Sequence, residues 1–184
     1  MAFEIAQDPA ADQVLDESPF ALLAGMMLDQ QYPMEHAFRG PAKVLDRFGT
    51  FEPAAIAAAD PEEFKQLCST PPAIHRFPGS MAARLQELAR IVTDEYDGDA
   101  ARIWTNAKDT DDLRRRIGAL PGYGPMKVMA LSSVLARRFG VKLAEPLAAS
   151  HKTLGDVDSP QALDSYQAAK REHKAAWSRA KAPA

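Results

Sequence analysis

Apolar residues recur with a helical period along most of the chain, and no stretch alternates between apolar and polar residues for long enough to predict a strand. Ser18 before Pro19 predicts a helix start, and apolar residues then repeat at helical spacing up to Gln31. The longest amphipathic helix is predicted from Ser80 to Tyr96. Further helices are predicted over residues 34–48 with a kink at Gly40-Pro41, 61–67, 110–117, 125–139 and about 159–177. The pattern therefore predicts an all-α fold.

The composition is that of an ordinary globular protein. Of 184 residues, 46% are hydrophobic and 26% are charged. We expect one domain over residues 1–184, with its core between residues 18 and 142. No apolar run is long enough to cross a membrane and no hydrophobic leader begins the chain, so we expect a cytoplasmic protein. Cys68 is the only cysteine, which excludes an internal disulfide and a four-cysteine iron–sulfur cluster.

The charge is unevenly distributed along the chain. Although the net charge is −3, residues 113–142 hold seven basic residues and no acidic one, whereas residues 1–69 hold twelve acidic residues and four basic ones. A basic patch on an acidic body predicts a surface that binds a polyanion such as nucleic acid. The alternative is a pair of solvated helix faces with no binding role.

The most informative segment is Leu120-Pro-Gly-Tyr-Gly-Pro-Met-Lys127, which lies between two predicted helices. Gly122 and Gly124 can adopt positive φ and allow another backbone to come close. The first N–H groups of the following helix have no internal acceptor, and together with the helix dipole they can bind an anion such as a DNA phosphate. The alternative is an ordinary turn between two helices.

This segment resembles the helix–hairpin–helix motif of the HhH-GPD superfamily of DNA glycosylases, relatives of endonuclease III. Residues 20–31, which end in Gln30-Gln31, resemble the early helix and glutamine-containing loop that family members insert into DNA. Residues 72–85 resemble the turn before the family's long central helix. The stretches Leu28–Glu35 and 69–79 further resemble a small actinobacterial-type branch of the superfamily. The resemblance covers roughly residues 18–142 and implies a two-lobed helical fold.

The resemblance also implies an activity. Such enzymes flip a damaged or mispaired base out of double-stranded DNA into a pocket and break its N-glycosidic bond. Bifunctional members attack the sugar with a lysine two residues after the second hairpin glycine. Met126 occupies that position here, and Lys127 lies about 100° further around the helix. We therefore expect a monofunctional enzyme, with Lys127 as a phosphate contact or a solvated surface residue.

The catalytic carboxylate that the resemblance implies has no obvious counterpart. The family's aspartate follows the hairpin by about two dozen residues, but no aspartate lies between Asp112 and Asp156. Glu145, 23 residues after the first hairpin glycine, fits the spacing, although it can equally be a solvated loop residue. Asp29 and Glu35, beside the glutamine-containing loop, are the other candidates for stabilising positive charge on the sugar or activating water.

The remaining candidates are residues that would touch DNA. The amides of Gln30 and Gln31 can fill the gap left by a flipped base, or they can satisfy backbone groups at a helix end. Tyr123 is the aromatic residue that we expect to stack near DNA. The predicted DNA-binding set is completed by Gly122, Gly124, Lys127, Arg114, Arg115 and Arg116.

The sequence predicts no cofactor and no metal site, because its histidines lack the spacing of metal ligands. We expect a monomer that binds double-stranded DNA. A competing hypothesis is a non-catalytic helix–hairpin–helix protein that senses lesions or shapes DNA, and the missing aspartate favours it. A third is a hairpin that docks another protein, which predicts no salt-dependent affinity for DNA.

Overall fold

The computed structural model describes residues 3–181, apart from the side chains of Trp177 and Lys181. All regular elements in this part of the chain are helices, which confirms the all-α prediction. The α-helices are α1 (Pro9–Glu17), α2 (Pro19–Leu28), α3 (Met34–Phe38), α4 (Gly40–Phe48), α5 (Pro53–Ala58), α6 (Pro61–Ser69), α7 (Pro78–Tyr96), α8 (Arg102–Thr105), α9 (Thr110–Gly118), α10 (Pro125–Arg138) and α11 (Pro160–Lys181), and the 3₁₀-helices are η1 (Lys142–Leu147) and η2 (Leu154–Asp156).

Helix starts follow the capping signals in the sequence. The Ser18 side chain accepts the N–H of Ala21 at 3.1 Å and opens α2. The Asp60 carboxylate accepts the N–H groups of Glu62 and Glu63, both at 3.0 Å, and opens α6. In each helix a proline occupies the first position, where the missing N–H costs nothing. Both predicted helix starts are confirmed.

Three α-helices, α1, α5 and α8, were not predicted from the sequence, and neither were the two 3₁₀-helices η1 and η2. The helices α5 and α8 span six and four residues, which is too short for a hydrophobic period to show. Conversely, the segment 34–48 is divided into α3 and α4 at the predicted kink, and α4 ends at Gly49 with a φ of +84°. The last helix is longer than expected, because α11 continues to Lys181.

The helices form two groups that share one continuous hydrophobic core. In the first group α7 packs on α5 and α6, and α2 packs on α1, α3 and α4. In the second group α10 packs against α9, η1 and η2, and α8 packs on α9. The helix α2 lies at the centre, since every residue from Phe20 to Leu28 is buried. A helix that is apolar on all sides must be surrounded by other elements.

The contact between η2 and α10 generates a stability prediction. A Cβ on Gly155 would lie 2.8 Å from the carbonyl oxygen of Ser133, so backbone would have to move. We expect Gly155→Ala to lower the free energy of unfolding by about 1–3 kcal/mol, as overpacking typically does. The measurement is urea-induced unfolding monitored by circular dichroism.

Gly118→Ala is the matched control, because the nearest atom to its added Cβ is Val128 Cγ2 at 3.8 Å, an ordinary contact. That variant should be as stable as wild type or more stable by up to about 1 kcal/mol, since alanine restricts the unfolded chain. Equal losses in the two variants would contradict close packing at Gly155.

Candidate nucleic-acid interface

The segment between α9 and α10 is a tight turn with two exposed glycines. Gly122 has a φ of +78°, in the left-handed region, and the N–H of Tyr123 donates to Leu120 O at 3.1 Å. Gly124 precedes α10 without any side-chain cap. The N–H groups of Gly124 and Met126 have no acceptor within residues 3–181. A Cβ at Gly124 would meet nothing within 4 Å. An anion can therefore approach the N-terminus of α10.

The turn lies against the loop that follows α2, residues 29–33, which we call the glutamine loop. A Cβ on Gly122 would be 3.4 Å from Gln30 Nε2 and 3.5 Å from the side chain of Arg84. Gln30 Nε2 donates to Met27 O at 2.7 Å, and its Oε1 accepts from Arg84 at 3.2 Å. The structure thus brings together the hairpin and the glutamine loop, two segments that the sequence analysis assigned to DNA contact.

The two glutamines differ in what they can do. The amide of Gln30 is engaged on both sides, which is the structural alternative that the sequence left open. Gln31 is exposed, and its side chain has no hydrogen-bond partner in the described part of the chain. Its φ of +51° is unusual for a residue with a side chain. Of the two amides, only that of Gln31 is available to a ligand.

Tyr123 faces the core rather than solvent. Its side chain is 5% exposed, and its Oη donates to Leu23 O in α2 at 2.9 Å. The expectation that this ring stacks on DNA is corrected, because the ring fills the space between α2 and α10. It connects the two groups of helices beside the hairpin.

Lys127 also points inward. Its Nζ donates to the carbonyls of Met26 and Met27 at the C-terminal end of α2, the latter at 3.1 Å. Burial lowers the pKa of Lys127 to about 8, while the nearby Asp29 carboxylate acts in the opposite direction. The ammonium group therefore satisfies the end of α2, and its expected role as a phosphate contact or solvated residue is corrected.

The arginines at the end of α9 are paired within their own helix. Arg114 contacts Asp111 at 3.0 Å, and Arg116 Nε donates to Asp112 at 3.0 Å. Arg115 also contacts Asp112, whose carboxylate is only 6% exposed. These acids neutralise much of the basic charge that the sequence assigned to a nucleic-acid surface. Arg114 and Arg115 nevertheless remain exposed and able to exchange partners.

The arginines at the end of α10 hold the following loop. Arg137 contacts Asp156 and donates to Ala149 O at 2.7 Å. Arg138 donates to Gly155 O at 3.1 Å. Most basic side chains of the patch predicted over residues 113–142 therefore make contacts within the protein. Those at the end of α10 hold η2 and the loop before it against this helix.

A cleft of about 660 Å³ lies between the glutamine loop and α11. Asp29 lines it with a side chain that is 19% exposed and that contacts Lys170 of α11 at 3.4 Å. Nearby, Glu35 accepts a hydrogen bond from Gln167 of α11 at 3.2 Å. Besides Asp29 and Lys170, the cleft is lined by Gln31, Tyr32, Pro33, Arg76 and Lys174.

Glu145 lies apart from this cleft. It is an exposed residue of η1, and its carboxylate has no hydrogen-bond partner among residues 3–181. Leu147, two residues further along η1, lines a second groove of about 400 Å³. Tyr123 and Gly124 of the turn and residues of α9 and α10 complete this groove. Of the three predicted carboxylates, the structure brings Asp29 and Glu35 to the glutamine loop and leaves Glu145 elsewhere.

His75 connects the glutamine loop to the turn before α7. Its ring is buried, 4.7 Å from the ring of Tyr32 between centroids. Nδ1 accepts the N–H of Phe77 at 3.0 Å, and Nε2 lies 2.9 Å from Gln30 O. A backbone N–H can only donate and a carbonyl can only accept, so this ring is neutral with its proton on Nε2. Burial lowers the pKa of His75, and Arg76 acts in the same direction.

Phe77 is the exposed aromatic residue at this surface. Its side chain is 50% exposed, and the guanidinium of Arg76 lies 5.3 Å from its ring centroid. Sequence reasoning favoured Tyr123 instead. The sequence signal for Phe77 is its position directly before Pro78, where α7 begins. A residue at that position precedes the helix and is not part of its buried face.

Comparison with known proteins decides the family. The family model described as HhH-GPD superfamily base excision DNA repair protein matches residues 24–175. This chain belongs to the HhH-GPD superfamily. The match confirms the resemblance that was inferred from the hairpin, and it extends beyond it into α11.

Other comparisons add little to the HhH-GPD assignment. A search of curated protein sequences found no significant match. Among solved structures, endonuclease III trapped in a covalent intermediate with DNA, in an estranged-adenine complex, is 18% identical, with a TM-score of 0.43 over 80% of this chain and 78% of that one. No helix within residues 3–181 is long and apolar enough to cross a membrane. The same residues contain no cluster of three or more side chains suited to a metal ion.

The neutral, buried His75 predicts how stability depends on pH. Because its pKa is lowered in the folded protein, the unfolded chain binds a proton more readily. The contribution of His75 to the free energy of unfolding is therefore fully present above the pKa that this histidine has in the unfolded chain. It is lost as the pH falls from that value towards the lower pKa of the folded protein. The free energy of unfolding of the wild type should therefore fall more than that of His75→Gln between about pH 7.5 and about pH 5.5.

Urea unfolding at a series of pH values measures this difference. His151→Gln is the control, because His151 is exposed and its ring makes no hydrogen bond in the described part of the chain. It should follow the wild-type pH dependence. Parallel curves for wild type and His75→Gln would contradict the assigned protonation state.

Proposed function

We propose that this protein is a DNA glycosylase that hydrolyses the N-glycosidic bond of a damaged or mispaired base flipped out of double-stranded DNA. Membership of a base excision repair superfamily supports this class of reaction. The main support is that the hairpin, the glutamine loop and a carboxylate lie close together. The hairpin, with its free N–H groups, lies beside the glutamine loop, and that loop carries an accessible carboxylate at the edge of a cleft.

The hairpin is the proposed contact to the DNA backbone. A phosphate oxygen would accept hydrogen bonds from the N–H groups of Gly124 and Met126 at the N-terminus of α10. Such contacts position the protein on the duplex without reading its sequence. They leave recognition of the lesion to the cleft and its surroundings.

Phe77 and Gln31 are the proposed residues that occupy the gap left by a flipped base. Both are exposed, and His75 ties their two loops to each other through the N–H of Phe77 and the carbonyl of Gln30. An aromatic ring stacked on neighbouring bases contributes about 1–3 kcal/mol per base. The amide of Gln31 offers both a donor and an acceptor to the orphaned partner base.

Asp29 is the proposed catalytic carboxylate. It lines the cleft, whereas Glu145 does not, and Glu35 is held by Gln167. A carboxylate at this position would stabilise the positive charge that develops on the sugar as the glycosidic bond breaks, or would accept a proton from the attacking water. We place Asp29 first and keep Glu35 and Glu145 as the other candidates.

The proposed enzyme is monofunctional, acts as a monomer and uses no cofactor. Met126 stands where bifunctional members of the family carry their lysine, and the Nζ of Lys127 is occupied by carbonyls of α2. An amine held in this way does not reach the sugar. Borohydride should therefore trap no covalent complex with DNA, and a trapped complex would contradict this part of the proposal.

A non-catalytic DNA-binding protein is the second candidate. The contact between Asp29 and Lys170, at 3.4 Å, favours it, because an ion pair reduces the negative charge that Asp29 offers to a substrate. In that case the protein would bind lesions or shape DNA through the same hairpin and loops. Product formation distinguishes the two candidates.

The activity test uses duplexes that each carry one damaged or mispaired base, followed by hot alkali to reveal abasic sites. We expect Asp29→Asn to lower the rate at least about 100-fold on the active substrate, the scale of general acid–base catalysis. Asp94→Asn is the control, because it makes the same chemical change at an exposed carboxylate outside the cleft, and it should keep the wild-type rate. Glu145→Gln tests the other exposed candidate and should also keep the wild-type rate if Asp29 is the catalytic carboxylate. Full activity in Asp29→Asn would exclude Asp29, and inactivity of the wild type on every duplex would favour the second candidate.

The hairpin is tested by Gly124→Ala. The backbone of Gly124 has a φ of −83°, which alanine adopts, and its added Cβ meets no protein atom within 4 Å, so the fold should be unaffected. The methyl group would stand where the phosphate approaches. We expect at least about tenfold weaker duplex binding, or about 1.4 kcal/mol, by fluorescence anisotropy. Gly118→Ala controls for the substitution, and unchanged affinity in folded Gly124→Ala would count against phosphate binding by the hairpin.

A further inference from the structure

The cleft beside the glutamine loop contains more positive charge than its carboxylate can neutralise. Arg76, Lys170 and Lys174 line it together with one acidic residue, Asp29. Arg76 comes from the turn before α7 and the lysines come from α11, so the fold rather than the local sequence gathers them. Converging cations in a concave site raise the local concentration of anions.

The three cations differ in what already satisfies them. Lys170 contacts Asp29 at 3.4 Å and lies 5.8 Å from the ring centroid of Tyr166. Arg76 makes one long hydrogen bond, at 3.5 Å, to Gln31 O. Lys174 has no hydrogen bond or ion pair with any residue of the described part of the chain. Donors of Arg76 and Lys174 therefore remain for a ligand.

The geometry of α11 directs its lysines to one place. Residues four apart lie on the same side of an α-helix, so Lys170 and Lys174 face the cleft together. The same part of α11 supplies Gln167, which donates to Glu35. The contacts of Gln167 with Glu35 and of Lys170 with Asp29 join residues that are 132 and 141 positions apart in the sequence. Through them α11 forms one wall of the cleft.

We propose that this cleft is an anion site that binds one phosphodiester group of the DNA strand carrying the flipped nucleotide, with Lys174 and Arg76 as its ligands. The proposal rests on the proposed function and assigns α11 a part in it. A cleft of about 660 Å³ accommodates a group of nucleotide size rather than a duplex. Each nucleotide of a DNA strand is joined by phosphodiester groups, so a nucleotide held beside Asp29 would bring this anion into the cleft.

The test measures binding of the full chain to a duplex with a central tetrahydrofuran abasic-site analogue, by fluorescence anisotropy at several salt concentrations. We expect Lys174→Gln to reduce the slope of log K against log salt by about 1, the effect of losing one phosphate contact. Lys174→Arg should restore the wild-type slope. Lys152→Gln makes the same chemical change at an exposed lysine outside the cleft, and it should leave the slope unchanged.

A second arm identifies the phosphate. Duplexes with a single neutral methylphosphonate linkage are scanned across the positions next to the abasic analogue. We expect one position at which neutralisation weakens wild-type binding but does not weaken Lys174→Gln further. An equal loss in both proteins at every position would overturn the proposal, as would an unchanged salt slope in Lys174→Gln or an equal change in Lys152→Gln.

The experiments distinguish failure of the anion-site proposal from failure of the proposed function. If Gly124→Ala weakens binding while Lys174→Gln matches the wild type, the anion site is wrong and the proposed function stands. If the wild type shows no salt-dependent binding to any duplex, both the proposed function and the anion site are overturned.

Discussion

The C-terminal end of α2 holds the candidate interface together. Helix ends leave backbone carbonyls without partners, and here the end is buried by other helices. Lys127 reaches from α10 to the carbonyls of Met26 and Met27, and the Oη of Tyr123 donates to Leu23 O. Burial works against the charged ammonium and lowers its pKa to about 8, and the nearby Asp29 carboxylate opposes that shift only in part. Both residues thus fix the hairpin against α2.

The same end of α2 determines what remains exposed for a ligand. Gln30 is engaged by Met27 O and Arg84, so the backbone of the glutamine loop is fixed and Gln31 projects outward. His75 then fixes the turn that carries Phe77 to the same loop. Gln30 and His75, which make hydrogen bonds inside the protein, therefore position the exposed Gln31 and Phe77. A site positioned in this way would need little reorganisation to bind the proposed DNA substrate.

Much of the fold was predictable because its signals are local. Ser18 and Asp60 cap helices through atoms within three residues, and the glycines of the hairpin interrupt an otherwise helical pattern. The orientation of Tyr123 and Lys127 was not predictable, since it depends on how α10 lies against α2.

The contacts of the charged residues differ in whether the sequence could have predicted them. The pairing of Arg115 and Arg116 with Asp112 is a contact between residues three and four apart, so the sequence contained that signal. The opposite holds for α11. Its contacts to Asp29 and Glu35 join residues more than 130 positions apart, and no local pattern predicts them.

The position of Lys170 connects substrate binding with the proposed chemistry. In the free protein its ammonium group lies beside Asp29 and offsets part of the carboxylate's negative charge. A phosphate bound by Lys174 and Arg76 would bring negative charge to the same cleft and would compete with Asp29 for Lys170. Asp29 would then act on the sugar with more of its own charge. The ion pair that favours a non-catalytic protein in the absence of DNA is therefore compatible with a catalytic carboxylate once DNA is bound.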